Sequence, residues 1–161
     1  MGLFSFLTKE VAIDLGTANS IVICNDKVVV DEPSIVAVDQ TTKKIIAVGK
    51  RAMQMDGKTH ENIKTIRPLR DGVIADFDMA NDMIRELIKM MNLRKTIVPP
   101  SLKMVICIPS GITNVEERAV RDAAEQAGAK DVRLIHEPMA AAIGIDRKST
   151  RLNSSHESTS R

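Results

Sequence analysis

The order of short apolar runs and turns restricts this chain to a mixed α/β fold. Val11–Ile13 and Ile21–Cys24 flank the turn sequence DLGTANS, and Lys27–Val30 follows a second turn at Asn25-Asp26. Short apolar runs joined by turn residues are typical of hairpin-connected strands. We therefore predict an antiparallel meander of three strands here, rather than a strand-to-helix unit.

Later in the chain, segments with helical periodicity alternate with short apolar runs. Apolar residues recur at helical spacing over Met79–Met91 and Thr113–Ala127, and the second segment opens with a capping-box sequence. Met104–Ile108 and Val132–Ile135 are short enough for buried strands, and a further helix starts near Met139. This alternation predicts an α/β fold with a mixed sheet and flanking helices.

Between these two regions the pattern is less regular. Ser34–Val38 and Ile45–Val48 are predicted to be edge strands, whereas Arg51–Ile66 is polar and contains methionines. This region is therefore expected to form a smaller, looser unit.

Composition excludes several classes of protein. Trp and Tyr are absent and there are three Phe, so the core must be aliphatic. No segment approaches the ~20 apolar residues of a membrane-spanning helix. Cys24 and Cys107 are far apart and lack the spacing of a zinc site or a disulfide scaffold. The first 145 residues carry 19 basic and 19 acidic side chains, so we expect no nucleic-acid partner.

The turn between the first two strands is the strongest candidate binding site. Gly16 can take backbone angles closed to other residues, and small neighbours let main-chain N–H groups approach an anion. Thr17, Asn19 and Ser20 add polar donors, and Asp14 is a hard oxygen ligand for Mg²⁺ through water. An ordinary hairpin with a turn glycine remains the alternative.

A second candidate site follows the last strand. Glu137-Pro138 could hold a carboxylate that orients a water for attack on a phosphate. A Glu and a Pro at an ordinary helix start explain the same residues. His136 is expected to be structural or exposed. Pro109-Ser110-Gly111 is either a loop at the edge of a ligand cleft or a plain strand-to-helix connection.

Six segments in this order resemble the actin-like ATPase superfamily, whose fold is ribonuclease H-like, and within it the MreB family of bacterial rod shape-determining proteins. They are IDLGTANS, DEPSIVAVD, IRPLRDGVIADFD, IPSGITNVEERA, AGAKDVRLI and HEPMAAAIG, and they extend from about Val11 to Ile145. DLGT and EPMAAAI also occur, with variations, in DnaK-type chaperones. RPLRDGVIADF is more specific and favours the MreB family.

The resemblance implies ATP and Mg²⁺ bound in a cleft between two lobes. Asp14 would hold the metal through water, and Glu137 would position the hydrolytic water. The first phosphate loop would consist of Gly16, Thr17, Ala18 and Asn19. The family usually has two Glu before the proline, and here His136 replaces the first.

The resemblance also implies a division of the chain. Residues 11–32 and 75–145 would form subdomain IA, and residues 33–74 the outer subdomain IB, which makes filament contacts. Residues 1–10 are either a short amphipathic membrane-contact segment, with Leu3, Phe4, Phe6 and Leu7 as its apolar side chains, or a frayed start. Residues 146–161 are expected to be a disordered tail and a sequencing artefact, because Asp146–His156 can be encoded by a nucleotide sequence that resembles a common sequencing-library adapter.

We expect the chain to be an N-terminal fragment that contains only the first lobe. The family's second phosphate loop and its adenosine-binding motif are not found in the sequence. The parent protein would be an ATPase that polymerises with copies of itself. It would lie in the cytoplasm at the inner membrane surface and guide the cell-wall elongation machinery. This fragment, in contrast, would bind ATP weakly or undetectably and would be inactive alone. The alternatives are a DnaK-type chaperone ATPase and a non-catalytic half-actin that binds filaments.

Overall fold

A computed structural model of the protein describes residues 8–58, 62–92 and 101–143. Its strands are β1 (Thr8–Leu15), β2 (Asn19–Cys24), β3 (Lys27–Pro33), β4 (Val36–Asp39), β5 (Ile45–Val48), β6 (Ile63–Ile66), β7 (Leu69–Arg70), β8 (Val73–Ile74), β9 (Ser101–Ile108) and β10 (Ala129–His136). Its helices are α1 (Lys50–Met55), α2 (Phe77–Met90) and α3 (Asn114–Gln126). Residues 137–143 are also helical.

The main sheet contains five strands in the order β10-β9-β1-β2-β3. β1, β9 and β10 run parallel to one another, and β2 and β3 are antiparallel to their neighbours. The predicted meander and the predicted mixed sheet are both confirmed. Because parallel strands end at the same edge of a sheet, β1, β9 and β10 bring their carboxyl ends together.

One face of the main sheet forms the core with helices α2 and α3. Val11, Ile13 and Leu15 alternate along β1 and are at most 2% exposed. The helices contribute the fully buried side chains of Ile84 and Val120 to the same aliphatic cluster. An aliphatic core is therefore confirmed for the part of the chain that the structure describes, and it gives the sheet a rigid support.

Local capping signals set the starts of both long helices. The Asp76 carboxylate accepts a hydrogen bond from the Met79 N–H at 3.1 Å, so α2 begins two residues before the predicted Met79. Thr113 and Glu116 form the predicted capping box of α3 in both directions. Gly128, with φ of 107°, follows the end of α3. Both predicted helices are confirmed.

A second sheet has three strands in the order β5-β4-β6. The prediction of β4 as an edge strand is wrong, because β4 lies in the centre and is buried on both faces. Val36 and Val38 join the main core, whereas Ala37 joins a small cluster with Ala52 of α1. β6, which pairs with β4, was not predicted, because it lies in the polar stretch that follows α1.

Two sets of sequence predictions lie outside the described residues. They are the membrane-contact side chains Leu3, Phe4, Phe6 and Leu7, and the tail at residues 146–161. Within residues 8–58, 62–92 and 101–143, no helix combines the length and apolar character needed to cross a membrane.

Candidate functional site

The carboxyl edge of the three parallel strands brings the two predicted carboxylates to one place. Asp14 is the penultimate residue of β1, and its side chain is exposed. It pairs in register with Cys107 of β9, which in turn pairs with Ile135 of β10. Glu137 follows the end of β10 and is half-buried. Asp14 and Glu137 therefore lie on either side of Cys107.

The two carboxylates affect the pKa of the Cys107 thiol. Burial raises its pKa, and the negative charges of Asp14 and Glu137 raise it further, to about 11. A thiol with this pKa stays protonated near neutral pH. Sequence reasoning missed Cys107, because only the pairing of three distant strands places it between the two acids. Its alternation with the buried Ile106 and Ile108 on β9 was the one available signal.

The turn after β1 is tightly closed, and this explains Gly16. A Cβ atom at Gly16 would lie 2.6 Å from the main-chain oxygen of Asn19. Gly16 is not among the residues with positive φ. The expectation that unusual backbone angles require this glycine is therefore wrong. A glycine is needed at position 16 because any side chain there would collide with the main-chain oxygen of Asn19.

Neighbouring segments hold the turn from two sides. The Ser34 hydroxyl donates to the Gly16 carbonyl at 2.6 Å, and the Ser34 N–H donates to the Ala18 carbonyl at 2.9 Å. On the other side, the Gly72 N–H donates to Thr17 Oγ1 at 3.2 Å. These hydrogen bonds hold the loop between Ser34 on one side and the Asp71-Gly72 turn on the other.

Two of the predicted polar donors are already engaged. The Asn19 amide donates to Asp31 Oδ1 at 3.0 Å, which holds the side chain against β3. Ser20 is completely buried, and its hydroxyl shares a hydrogen bond with the Ser34 hydroxyl at 2.9 Å. Ser20 is therefore a structural residue, and its prediction as a donor to a ligand is wrong.

The loop after β9 lies beside the same edge. A Cβ atom at Gly111 would lie 3.4 Å from Val73 Cγ1 in β8, so the connection to α3 runs against the β7–β8 hairpin. The turn of this hairpin, Asp71-Gly72, has positive φ at both residues and is the element that reaches Thr17. The hairpin thus connects two loops of the site.

His136, at the end of β10, faces α3. Its Nε2 lies 3.7 Å from Glu117 Oε1, and its side chain is 45% exposed. Its Nδ1 is buried and has no hydrogen-bond partner among the described residues. His136 thus contacts the helix beside the site.

Comparison with known proteins decides the family. The model of the MreB/Mbl protein family matches residues 8–153. The chain belongs to the MreB/Mbl family. The cell shape-determining protein Mbl of Bacillus subtilis (strain 168) is 45% identical over 137 residues, which are 84% of this chain and 40% of Mbl. MreB of Escherichia coli (strain K12) is 45% identical over 148 residues, which are 89% of this chain and 42% of that MreB.

Solved structures of other proteins have the same fold. MreB5 of Spiroplasma citri bound to AMPPNP superimposes with a TM-score of 0.69 at 35% identity, over 85% of this chain and 41% of MreB5. The MamK double helical filament superimposes with a TM-score of 0.67 at 18% identity, over 86% of this chain and 44% of MamK, and shows the fold alone. The actin-like fold inferred from the sequence is confirmed. The chain spans about 40% of the length of the MreB and Mbl relatives.

Proposed function

We propose that this chain is the first nucleotide-binding lobe of an ATP-dependent, filament-forming cytoskeletal protein. The protein would direct cell-wall synthesis and rod shape from the inner membrane surface. The convergence of Asp14, Glu137 and the loop at residues 16–19 on one sheet edge carries the proposal. Its relatives are named cell shape-determining proteins, and MreB5 of Spiroplasma citri binds AMPPNP and ADP, which supports the same reading.

Asp14 fits a magnesium ion held mainly through water. Its carboxylate is exposed beside a loop suited to anions. Mg²⁺ keeps several waters in such sites and takes one or two carboxylates together with phosphate oxygens. Within the described segments, no group of three or more His, Cys, Asp or Glu side chains could hold a metal. The ion would neutralise charge on the phosphates when bound.

The loop at residues 16–19 would bind phosphate through its main chain. Gly16 presents no side chain, and the Gly16 and Ala18 carbonyls are turned toward Ser34. The Thr17 N–H is then free to face the opposite side, because a trans peptide opposes its two polar groups. Oriented N–H groups in a turn form an anion-binding concavity.

Glu137 would orient the attacking water. It stands at the start of a helical segment and at the same edge as Asp14, where the metal and the terminal phosphate would meet. A positioned carboxylate can hold a water in line and accept its proton. Half-burial of Glu137 would restrict the motion of its side chain.

These 161 residues alone are expected to bind ATP weakly, because they hold one phosphate loop where the resemblance implies two. Self-association, contact with the membrane and contact with the cell-wall machinery belong to the same proposal. A filament would multiply weak contacts into stable attachment.

A chimaera tests the proposed function. Residues 8–143 of this chain replace the matching segment of Bacillus subtilis Mbl, and the product is tested for ATP-dependent sedimentation and for rod shape in cells that lack their own Mbl. We expect both to be restored, and Asp14→Ala to abolish both. Asp131→Asn, at the opposite end of the sheet, is the matched control. Sedimentation that needs no ATP, or that survives Asp14→Ala, would contradict the proposal.

A further inference from the structure

Ser34 stands at the centre of a small hydrogen-bond network beneath the turn at residues 16–19. It follows β3 directly and is completely buried. Its N–H donates to the Ala18 carbonyl at 2.9 Å, and its hydroxyl donates to the Gly16 carbonyl at 2.6 Å. The same hydroxyl lies 2.9 Å from the Ser20 hydroxyl. One side chain and its own N–H therefore bind the loop at two points.

The direction of these hydrogen bonds is fixed. A carbonyl oxygen only accepts, so the single hydroxyl proton of Ser34 goes to Gly16. The proton between the two serines must then come from Ser20. The chain of donors runs from Ser20 through Ser34 to the Gly16 carbonyl. Successive hydrogen bonds of this kind polarise one another, and the second is strengthened by the first.

This network determines which way the loop N–H groups point. The described peptide bonds are all trans, and a trans peptide places its N–H opposite its C=O. Because Ser34 draws the Gly16 carbonyl inward, the Thr17 N–H is directed to the outer side of the loop. Rotation of that peptide would turn an electronegative oxygen toward the position proposed for phosphate.

We propose that Ser34 is a positioning residue for phosphate binding, which holds the Gly16–Thr17 peptide in the orientation that an anion requires. The proposal rests on the proposed function, since it assumes that the loop binds the phosphates of a nucleotide. Ser34 itself is completely buried and does not touch the ligand.

Two variants isolate the hydroxyl of Ser34. Ser34→Ala alone would leave the buried Ser20 hydroxyl without a partner, and this would destabilise the sheet for unrelated reasons. We therefore compare Ser20→Ala, which keeps the hydrogen bond to Gly16, with Ser20→Ala/Ser34→Ala, which loses it. Ser20→Ala/Ser34→Thr restores a hydroxyl and serves as the rescue variant.

The readouts are ¹⁵N relaxation and amide shifts of the full 161-residue chain, titrated with millimolar Mg·ATP. For Ser20→Ala we expect order parameters near 0.85 at Gly16 to Ala18, and below about 0.6 for the double variant. The double variant should also bind Mg·ATP more weakly, by up to about tenfold, the upper limit for one lost hydrogen bond. The rescue variant should return both values toward those of Ser20→Ala.

The contrary outcomes are distinct. A rigid loop or unchanged ATP affinity in the double variant would overturn the role of Ser34. Global unfolding of that variant would also overturn it, because the hydroxyl would then serve the whole fold. If the unsubstituted 161-residue chain shows no ATP-induced shift, ATP binding is measured in the Mbl chimaera with the same variants, and absence of binding by the unsubstituted chimaera would overturn the nucleotide site of the proposed function. The relaxation comparison would still decide whether Ser34 orders the loop.

Discussion

At the scale of single residues, the site depends on small side chains and on charges held close together. Asp14 and Glu137 could be predicted from the sequence, because an acidic residue at the end of a buried strand lies at the edge of the sheet. Cys107 was not predictable in the same way. Its position between the acids comes from the register of β1, β9 and β10, which are far apart in the chain.

Gly16→Ala is expected to destabilise the protein and to weaken nucleotide binding. The added Cβ would meet the Asn19 main-chain oxygen at 2.6 Å, so the backbone must shift. Overpacking of this kind costs about 1–3 kcal/mol in the free energy of unfolding. Denaturant titration measures it, with Gly111→Ala as control, where the nearest atom is a side-chain methyl at 3.4 Å and the expected change is below about 0.5 kcal/mol. Equal stability of the two variants would refute this explanation of Gly16.

The reactivity of Cys107 is expected to report on both carboxylates. Only the thiolate reacts with iodoacetamide, and a pKa of about 11 keeps the reaction slow at pH 8. Asp14→Asn and Glu137→Gln each remove a negative charge, so each should lower this pKa and accelerate alkylation by up to about tenfold, the factor for one pKa unit. Mass spectrometry of the Cys107 peptide gives the rate, with Asp131→Asn as the matched control. Unchanged alkylation rates in both Asp14→Asn and Glu137→Gln would show that the two carboxylates do not influence the Cys107 thiol.

At the scale of elements, local signals predicted the helices better than the small sheet. α3 begins and ends within a residue of its prediction, because its capping box and its terminal glycine act locally. β4 was misread as an edge strand, since its burial on both faces comes from α1 and from the main core. β6 is a short segment, Ile63–Ile66, at the end of a polar stretch, and its pairing with β4 makes it a strand.

Thr113→Ala is expected to lower the free energy of unfolding by about 1 kcal/mol, the usual cost of a lost N-cap. The Thr113 hydroxyl accepts the Glu116 N–H, and the Glu116 carboxylate accepts the Thr113 N–H at 2.7 Å. The latter hydrogen bond lowers the pKa of Glu116. The stabilising effect of the carboxylate should therefore be present near neutral pH and be lost as acid protonates it.

The control for this cap is Val115→Ala in the same turn of α3. Val115 is 77% exposed, so its truncation should change stability by less than about 0.5 kcal/mol. Chemical denaturation at neutral pH and at pH 3 compares the two variants. If Thr113→Ala lowers the free energy of unfolding at neutral pH no more than Val115→Ala does, the capping box does not stabilise α3.

At the scale of the whole molecule, the strand order creates the site. Local sequence patterns indicated the meander of β1, β2 and β3 and a mixed sheet, but they did not indicate that β9 and β10 lie beside β1. The order β10-β9-β1 places the first and last candidate residues, Asp14 and Glu137, at one edge. The sequence motifs indicated this arrangement indirectly, through their resemblance to the MreB family. The match to the MreB/Mbl family over residues 8–153 confirms that resemblance.

The most direct test of the proposed nucleotide site is single-turnover ATP hydrolysis by the Mbl chimaera with and without Glu137→Gln. We predict that the variant binds Mg·ATP with nearly the affinity of the unsubstituted chimaera and hydrolyses it about 10²- to 10⁴-fold more slowly, the usual contribution of a positioned general base. Hydrolysis at the parent rate by Glu137→Gln would contradict it, because Glu137 would then play no part in activating water at this edge of the sheet.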